Sequence, residues 1–250
     1  MTEAALPMEP APPPLSAIAR LIGVLFSPVK TFQDIARRPT WLAPLLLVIG
    51  VTLLVNIFFL VPKMDWEASA VKQAEMMSEK FGVKLKDADV DQMVAGAEKS
   101  GPIKAYAGAV LGTIIISLLL GLIYFGVIRL GKGGITYAAA FSVICFASIP
   151  TALKMVLTAV AALTSTSITE MDVMRLIPSN PLFFMPETTG MGSMILFGSL
   201  DLFTLWSCAL TAVGLSACST WSVGRTALLV AVTFAVFVGG FGGLLYMFLG

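Results

Sequence analysis

Five long uncharged runs constrain the fold of this 250-residue chain more than any other feature. A helix rises ~1.5 Å per residue and the hydrocarbon core of a bilayer is ~30 Å thick, so about 20 apolar residues cross it. The runs predict an all-α fold, a polytopic membrane helical bundle with five transmembrane helices within residues 39–250. The predicted spans are residues 41–61, 105–128, 135–163, 196–217 and 226–249.

Composition agrees with a membrane protein. Hydrophobic residues make up 57% of the chain and charged residues 12%, against roughly 45–50% and about 25% in soluble proteins. Five such runs leave too little polar surface for a soluble bundle, so the lipid bilayer is the first predicted partner. A net charge of +1 does not supply the basic face that nucleic acid requires, and no nucleic-acid partner is predicted.

The N-terminal region divides into a tail and two short helices. Residues 1–14 hold five prolines and are predicted to be a disordered Pro-rich tail. Residues 15–38 show two amphipathic patterns separated by Ser27 and Pro28, which suit the N-cap and first position of the second helix. Because this basic, aromatic element leads directly into an apolar run, we expect interfacial helices at the cytoplasmic face. Phe32 and Ile35 should face lipid headgroups or the underside of the bundle.

Basic residues set the expected orientation through the positive-inside rule. Five of the six arginines flank the predicted inner ends of the spans, and Arg37 and Arg38 should mark the start of the first span. The lysines of residues 64–104 lie among acids in a long loop, where the rule has little force. The N-terminus is therefore expected to be cytoplasmic and the C-terminus extracytoplasmic. The inner basic residues are Arg20, Lys30, Arg37, Arg38, Arg129, Lys132 and Arg225.

The two extracytoplasmic loops, residues 64–104 and 164–192, should contain short helices. An apolar face starting at Trp66 and ending before Gly82 predicts one helix, and a second is predicted around Val90–Lys99. Together they predict a helical hairpin that lies over the outer face between spans 1 and 2. The second loop is interrupted by prolines.

The residues needed for catalysis or metal binding are scarce. Histidine is absent, and the three cysteines lie in apolar runs without a CxxC pair. Asp87, Asp89, Asp91 and Glu98 are spaced like a calcium loop, but Gln92 stands where that loop needs glycine. No catalytic, metal-binding or cofactor-binding residue is predicted, and the chain is expected not to be an enzyme.

Two charges fall inside the predicted spans, Lys154 and Asp201. A charge in hydrocarbon is costly and is by default a functional candidate. Counted from the inner side, both lie ~26–28 Å along their helices, which predicts that they form an ion pair. The alternative is that each reaches the outer interface independently. With the break expected at Pro150, they motivate an alternative function as a small transporter or channel.

Glycines recur in the last span as GGFGG. Gly239 and Gly243 are four residues apart, and small residues at this spacing let two helix backbones approach closely in lipid. They predict a packing face, either within the chain or between subunits.

Three stretches, taken in order, carry a family resemblance: RLIGVLFSPVKTFQDIARRPTWLAPLLL, TYAAAFSVICFASIP and LDLFTLWSCALTAVGLSA. They resemble the bacterial branch of the Yip1 domain family of five-span membrane proteins, over roughly residues 16–237. The resemblance implies a bacterial inner membrane location, a cytoplasmic N-terminus and an extracytoplasmic C-terminus. Ser27 and Pro28 lie in the shared stretch, to which no chemistry is attached.

The resemblance implies little about function. Eukaryotic members are associated with Rab GTPases and with vesicle traffic or membrane shaping, and some bacterial members look like accessory components of ABC exporters. This chain has neither a long soluble cytoplasmic region nor a DLYGP-type motif, so Rab binding is not implied. We expect a non-enzymatic membrane protein that organises, scaffolds or assists another membrane complex, such as an ABC exporter, or shapes the membrane. Its expected protein partner is that complex or a second copy of the chain.

Overall fold

The computed structural model describes residues 13–82, 85–186 and 190–249, with side-chain surroundings for all of these except 79–81, 191 and 241–249. Most of the predicted N-terminal tail lies outside these ranges. The described residues form helices joined mostly by short turns, with a longer stretch over residues 163–186 that contains α9 and a 3₁₀ turn, Pro181–Phe184. The helices are α1 (Ala17–Phe26), α2 (Pro28–Arg37), α3 (Leu42–Val55), α4 (Trp66–Phe81), α5 (Asp87–Ala107), α6 (Thr113–Leu130), α7 (Tyr137–Ala147), α8 (Ile149–Ala162), α9 (Glu170–Val173), α10 (Met191–Ser199), α11 (Leu202–Ala217) and α12 (Val223–Leu249).

Four helical segments of the described chain are long and apolar enough to cross a membrane, and a bent pair of helices makes a fifth if it is one span. Short π-helical or 3₁₀ turns extend α3 and join α5 to α6. The predicted helical membrane bundle is therefore confirmed. The segments are Leu42–Lys63, Asp87–Leu130, Tyr137–Ala162 and Val223–Gly240, and the bent pair is α10 with α11.

The fourth predicted span differs from the expected continuous helix over 196–217. The chain breaks at Leu200 and Asp201, and the axes of α10 and α11 differ by 56°. Asp201 is the N-cap of α11, and its carboxylate accepts hydrogen bonds from the backbone N–H groups of Phe203 and Thr204. A side chain that caps a helix starts it at that residue, so the apolar run is divided in two.

The hairpin between the first two spans is present, but its second arm is not a separate short helix. α4 ends at Gly82, which adopts the left-handed conformation at φ +60° that favours glycine. The second arm, α5, continues through a π-helical turn into α6, so that one helical segment covers Asp87–Leu130. The second arm of the hairpin therefore continues directly into the second span, and the position of the hairpin over the outer face stays a prediction.

The third span forms the centre of the bundle. Every residue of α7 from Ala139 to Ala147 is buried, as expected for a helix that is apolar on all sides. Two glycines allow neighbouring helices to approach it. A Cβ added to Gly121 of α6 would lie 3.3 Å from the Phe141 Cα, and one added to Gly214 of α11 would lie 2.6 Å from Val143 Cγ1.

One end of the bundle, here called the basic end, holds α1, α2 and the loops before α7 and α12. The N–H of Thr220 donates to the Gly133 carbonyl over 2.9 Å, and Trp221 Nε1 donates to the Gly131 carbonyl over 3.3 Å. The Arg225 guanidinium lies 3.7 Å from the centre of the Trp221 ring. Hydrogen bonds thus join the two loops at the same end.

The two N-terminal helices, α1 and α2, pack against the main core at the basic end. Phe32 and Ile35 are fully buried in the main core together with Ile128 and Leu215. Their predicted position at the underside of the bundle is confirmed, and the alternative position among lipid headgroups is wrong for these two side chains. The reason is Gly214, whose missing side chain leaves room for the Phe32 ring.

The opposite end, here called the hairpin end, joins the α4–α5 hairpin to residues 164–186. Asp65 N–H donates to the Ile168 carbonyl over 2.9 Å, and Ile168 N–H donates to the Lys63 carbonyl over 3.0 Å. The Trp66 ring packs against Gly101 near the base of the hairpin. These contacts hold the base of the hairpin against the bundle.

Replacing Gly214 by alanine should destabilise the bundle. The new Cβ would lie 2.6 Å from Val143 Cγ1 and 2.9 Å from Phe32 Cε1, and overpacking of this kind costs about 1–3 kcal/mol. Gly50→Ala in α3 is the matched control, because nothing lies within 4 Å of its added Cβ and alanine favours helix. Thermal unfolding in mild detergent should show a lower midpoint for Gly214→Ala alone. Equal midpoints for the two variants would contradict the close approach at Gly214.

Candidate functional site

The two predicted intramembrane charges are in contact. Lys154 Nζ lies 3.1 Å from Asp201 Oδ2, joining α8 to the break between α10 and α11. The predicted ion pair is therefore present, and the alternative of independent snorkelling is not what the structure has. Whether the pair serves a function beyond stability stays a prediction.

The Asp201 carboxylate is fully buried and accepts four hydrogen bonds. Its Oδ1 accepts from the N–H of Phe203 at 3.0 Å and of Thr204 at 3.3 Å. Its Oδ2 accepts from Lys154 and from the Ser179 hydroxyl. Burying an ionised carboxylate without such donors would be prohibitive, and hydrogen bonds to a charged acceptor are the strong ones.

Sequence reasoning missed Ser179. This residue comes from the proline-rich segment before α10, and its carbonyl also accepts from the Leu202 N–H over 2.8 Å. The neighbouring Asn180 is buried, and its side-chain nitrogen donates to the Met174 carbonyl over 3.0 Å. Its Oδ1 has no hydrogen-bond partner among the described residues. A serine 22 residues from its acceptor leaves no periodic signal, so only the fold reveals this contact.

Pro150 lies in the same helix as Lys154. α7 ends at Ala147, Ser148 separates the two helices, and Pro150 occupies the first turn of α8. Proline is tolerated there because the first N–H groups of a helix lack an intrahelical partner. The break expected at this proline is therefore present, and it begins the short helix that carries Lys154.

The Lys154 side chain is about one quarter exposed, while Asp201 has no exposure at all. The amino terminus of α11 carries the positive end of the helix dipole, and in many proteins such a terminus binds an external anion. Here the chain's own carboxylate takes two of those N–H groups. The carboxylate therefore holds α8, α11 and the segment before α10 together. It also leaves fewer free N–H groups at the amino terminus of α11 for an external anion.

A second buried charge lies at the basic end. Arg20 is 4% exposed, and its Nε lies 2.7 Å from Asp34 Oδ2. Its Nη1 donates to the Arg38 carbonyl over 3.0 Å and to Thr40 Oγ1 over 2.7 Å. Sequence reasoning counted Arg20 only as an orienting charge. Its contacts instead join α1 to the end of α2 and to the residues that enter the first span.

Ser27 and Pro28 form the turn between α1 and α2. Pro28 is the first residue of α2, as predicted, and Ser27 holds the N-cap position without the expected side-chain hydrogen bond. Instead, the Thr31 hydroxyl donates to the Ser27 carbonyl over 3.0 Å. A Cβ at Gly23 would lie 2.5 Å from Thr31 Oγ1, so this turn is closely packed.

Of the remaining predicted residues, Arg37, Arg38 and Gly239 are exposed. Arg37 and Arg38 are exposed at the end of α2, and their boundary role stays a prediction. Among the residues whose side chains the structure describes, nothing lies within 4 Å of a Cβ added to Gly239. Gly243 lies outside the residues whose surroundings the structure describes, so packing against another subunit stays a prediction.

At the hairpin end, Lys63 completes the carboxyl terminus of α8. Its Nζ donates to the carbonyls of Ala162 at 2.5 Å and Ser165 at 2.8 Å, and a lysine is favourable at that end of the helix dipole. Nearby, Lys72 lies 3.5 Å from Asp172. Burial acts to raise the pKa of Asp172, but hydrogen bonds from Thr169 and the charge of Lys72 outweigh it, so the pKa lies below its ordinary value.

Metal binding was not predicted. In the described part of the chain, no three Cys, Asp or Glu side chains are grouped so that they could hold a metal ion.

Neutralising either member of the Lys154–Asp201 pair should destabilise the protein. Asp201→Asn keeps an acceptor for the helix cap but leaves the ammonium unpaired, and Lys154→Met leaves the carboxylate short of one donor. Each should cost about 2–4 kcal/mol, and the double variant should cost less than the sum because neither charge is then stranded. Thermal unfolding in mild detergent measures this coupling. Ser179→Ala, which removes a donor to the same carboxylate but leaves both charges in place, is the comparison and should cost about 1.5–3 kcal/mol because its acceptor is charged. Strictly additive losses for the two charged residues would mean that the pair contributes no coupling.

Comparison with known proteins agrees with this architecture. The family model described as the Yip1 domain matches residues 22–246. A relative described as membrane protein YknW, from Bacillus subtilis (strain 168), is 26% identical over 203 residues, which cover 78% of this chain and 76% of that protein. No solved structure matches. The family match covers nearly the whole bundle, including α2 and the Lys154–Asp201 pair, and the chain belongs to the Yip1 domain family.

Proposed function

We propose that this membrane protein has no enzymatic activity and organises or assists another membrane complex through the α4–α5 hairpin. The observation that carries the proposal is the continuity of α5 with the second span. Residues 87–104 precede the predicted membrane segment and extend it by ~27 Å at ~1.5 Å per residue. The hairpin is thus an arm fixed to the bundle rather than a loose loop.

The surface of the arm favours contact with another protein. Its base is held by Trp66 against Gly101 and by the hydrogen bond from Glu170 N–H to Ser69 Oγ. Most of α5 beyond the base is exposed and carries acids and lysines. A charged helical surface held at a fixed position is typical of a docking element whose partner is recognised by charge complementarity. An ABC exporter is one class of complex that such an arm would serve.

A photo-crosslinking amino acid tests this proposal. Placed at Gln73 of α4 or Gln92 of α5, both exposed, it should yield one reproducible cross-linked membrane protein in intact cells, identified by mass spectrometry after purification in mild detergent. The same amino acid at Gln33, exposed at the basic end, is the control and should not yield that product. Recovery of only the chain itself from both hairpin positions would contradict the proposal.

A second function, that of a small transporter or channel, is favoured by the broken fourth span next to a buried ion pair. The internal use of the Asp201 carboxylate weighs against it, since all four of its donors come from the chain. Purified protein in liposomes separates the two functions. Flux of an ion or solute that is lost in Asp201→Asn but kept in Ser179→Ala would favour the transporter.

The proposed orientation places the basic end in the cytoplasm of a bacterial cell and the hairpin end outside. Arg129, Lys132 and Arg225 flank short loops at the basic end, where the positive-inside rule is strongest. A reporter that is active only in the cytoplasm should work after residue 38 and within Gly131–Gly134. It should be silent after residue 85 and after Gly250. Activity at Gly250 would mean that α10 and α11 do not together cross the membrane.

A further inference from the structure

The helix α1 carries an apolar stripe that the bundle does not cover. Its opposite face is buried through Arg20 and Val24. Positions 18, 22 and 26 are four residues apart and therefore lie on one helix face. With Val29 at the start of α2, they expose four large apolar side chains at the basic end. The exposed fractions are 69% for Ile18, 56% for Ile22, 80% for Phe26 and 53% for Val29.

The Arg20 contacts fix where this stripe lies. The guanidinium binds Asp34 in α2 and both the Arg38 carbonyl and the Thr40 hydroxyl, which directly precede the first span. The exposed side chains of Trp41 and Leu42 begin the lipid-facing surface of that span. α1 is thus tied to the residues that directly precede the first predicted span.

The charge at this end indicates what the stripe faces. Within residues 13–41, 129–136 and 218–225, the acid is Asp34, which Arg20 already binds. The other charged residues of these segments are basic and exposed, so these segments carry an excess of positive charge. They are Lys30, Arg37, Arg38, Arg129, Lys132 and Arg225.

We propose that α1 is an in-plane membrane anchor and that the basic end binds anionic phospholipid. Ile18, Ile22 and Phe26 insert among the acyl chains at the boundary of the leaflet, as an amphipathic helix with a clear apolar face does. The nearby ammonium and guanidinium groups bind the phosphate of anionic headgroups, which attract basic residues at a membrane surface. This inference is independent of the role proposed for the hairpin.

Thiol labelling tests the insertion of the stripe. The full chain carrying Ile22→Cys or Gln33→Cys is placed in nanodiscs that contain phosphatidylcholine with phosphatidylglycerol, one copy per disc, and treated with a membrane-impermeant maleimide. Ile22→Cys should react at least about tenfold more slowly than Gln33→Cys, because its thiol lies below the headgroups. The unmodified chain corrects for its own cysteines, of which Cys145 is buried. Equal rates overturn the insertion. Protection of Ile22→Cys that requires two copies per disc also overturns it, since the stripe would then bind a second chain.

Lipid counting by native mass spectrometry tests the anionic preference. In a triple variant with Lys30→Gln, Arg37→Gln and Arg38→Gln, the ratio of bound phosphatidylglycerol to bound phosphatidylcholine should fall roughly tenfold or more. The matched control removes three exposed lysines from the hairpin end, with Lys86→Gln, Lys99→Gln and Lys104→Gln, and should keep the preference. A preference that is absent from the unmodified chain, or lost equally in both variants, overturns the lipid site.

Discussion

The Asp201 carboxylate, which is fully buried in an apolar bundle, fixes the break in the fourth span and the segments that meet there. A buried charge needs donors on every side, and these come from the first N–H groups of α11, from Lys154 of the third span and from Ser179. Because the carboxylate uses the amino terminus of α11, the helix begins there and the fourth span bends by 56°. The Ser179 segment folds back to the same point. One acid thereby joins two spans and a loop.

The basic end uses the same principle with the opposite charge. Arg20 is nearly as buried as Asp201, and its planar donors bind a carboxylate, a carbonyl and a hydroxyl from three successive parts of the chain. A guanidinium suits this task because it presents several donors in fixed directions. Both ends therefore place a charged side chain at a joint between a helix and a turn. The two joints add directional contacts to the apolar packing that holds the N-terminal helices and the broken span.

Much of the architecture could be predicted because bilayer thickness converts directly into sequence length. Counting residues from the inner side of the membrane at ~1.5 Å per residue also predicted that Lys154 and Asp201 lie at the same depth. The break before α11 could not be seen, because the residues around Asp201 keep the run apolar. The packing glycines were also missed. GGFGG repeats within one helix and is visible in the sequence, whereas Gly121 and Gly214 matter only through their register with Phe141 and Val143 on another helix.

The break before α11 differs from the helix breaks of transporters, and the difference favours a structural role for it. A discontinuous span in a transporter leaves its helix termini free to bind the transported ion or solute. In this chain the terminus of α11 is occupied by Asp201, and that carboxylate is in turn satisfied by Lys154 and Ser179. An incoming anion would have to displace the chain's own acid, and an incoming cation would have to displace a lysine held at 3.1 Å. Both exchanges oppose ready binding and release, so the break before α11 is better suited to hold the bundle together than to carry an ion or solute.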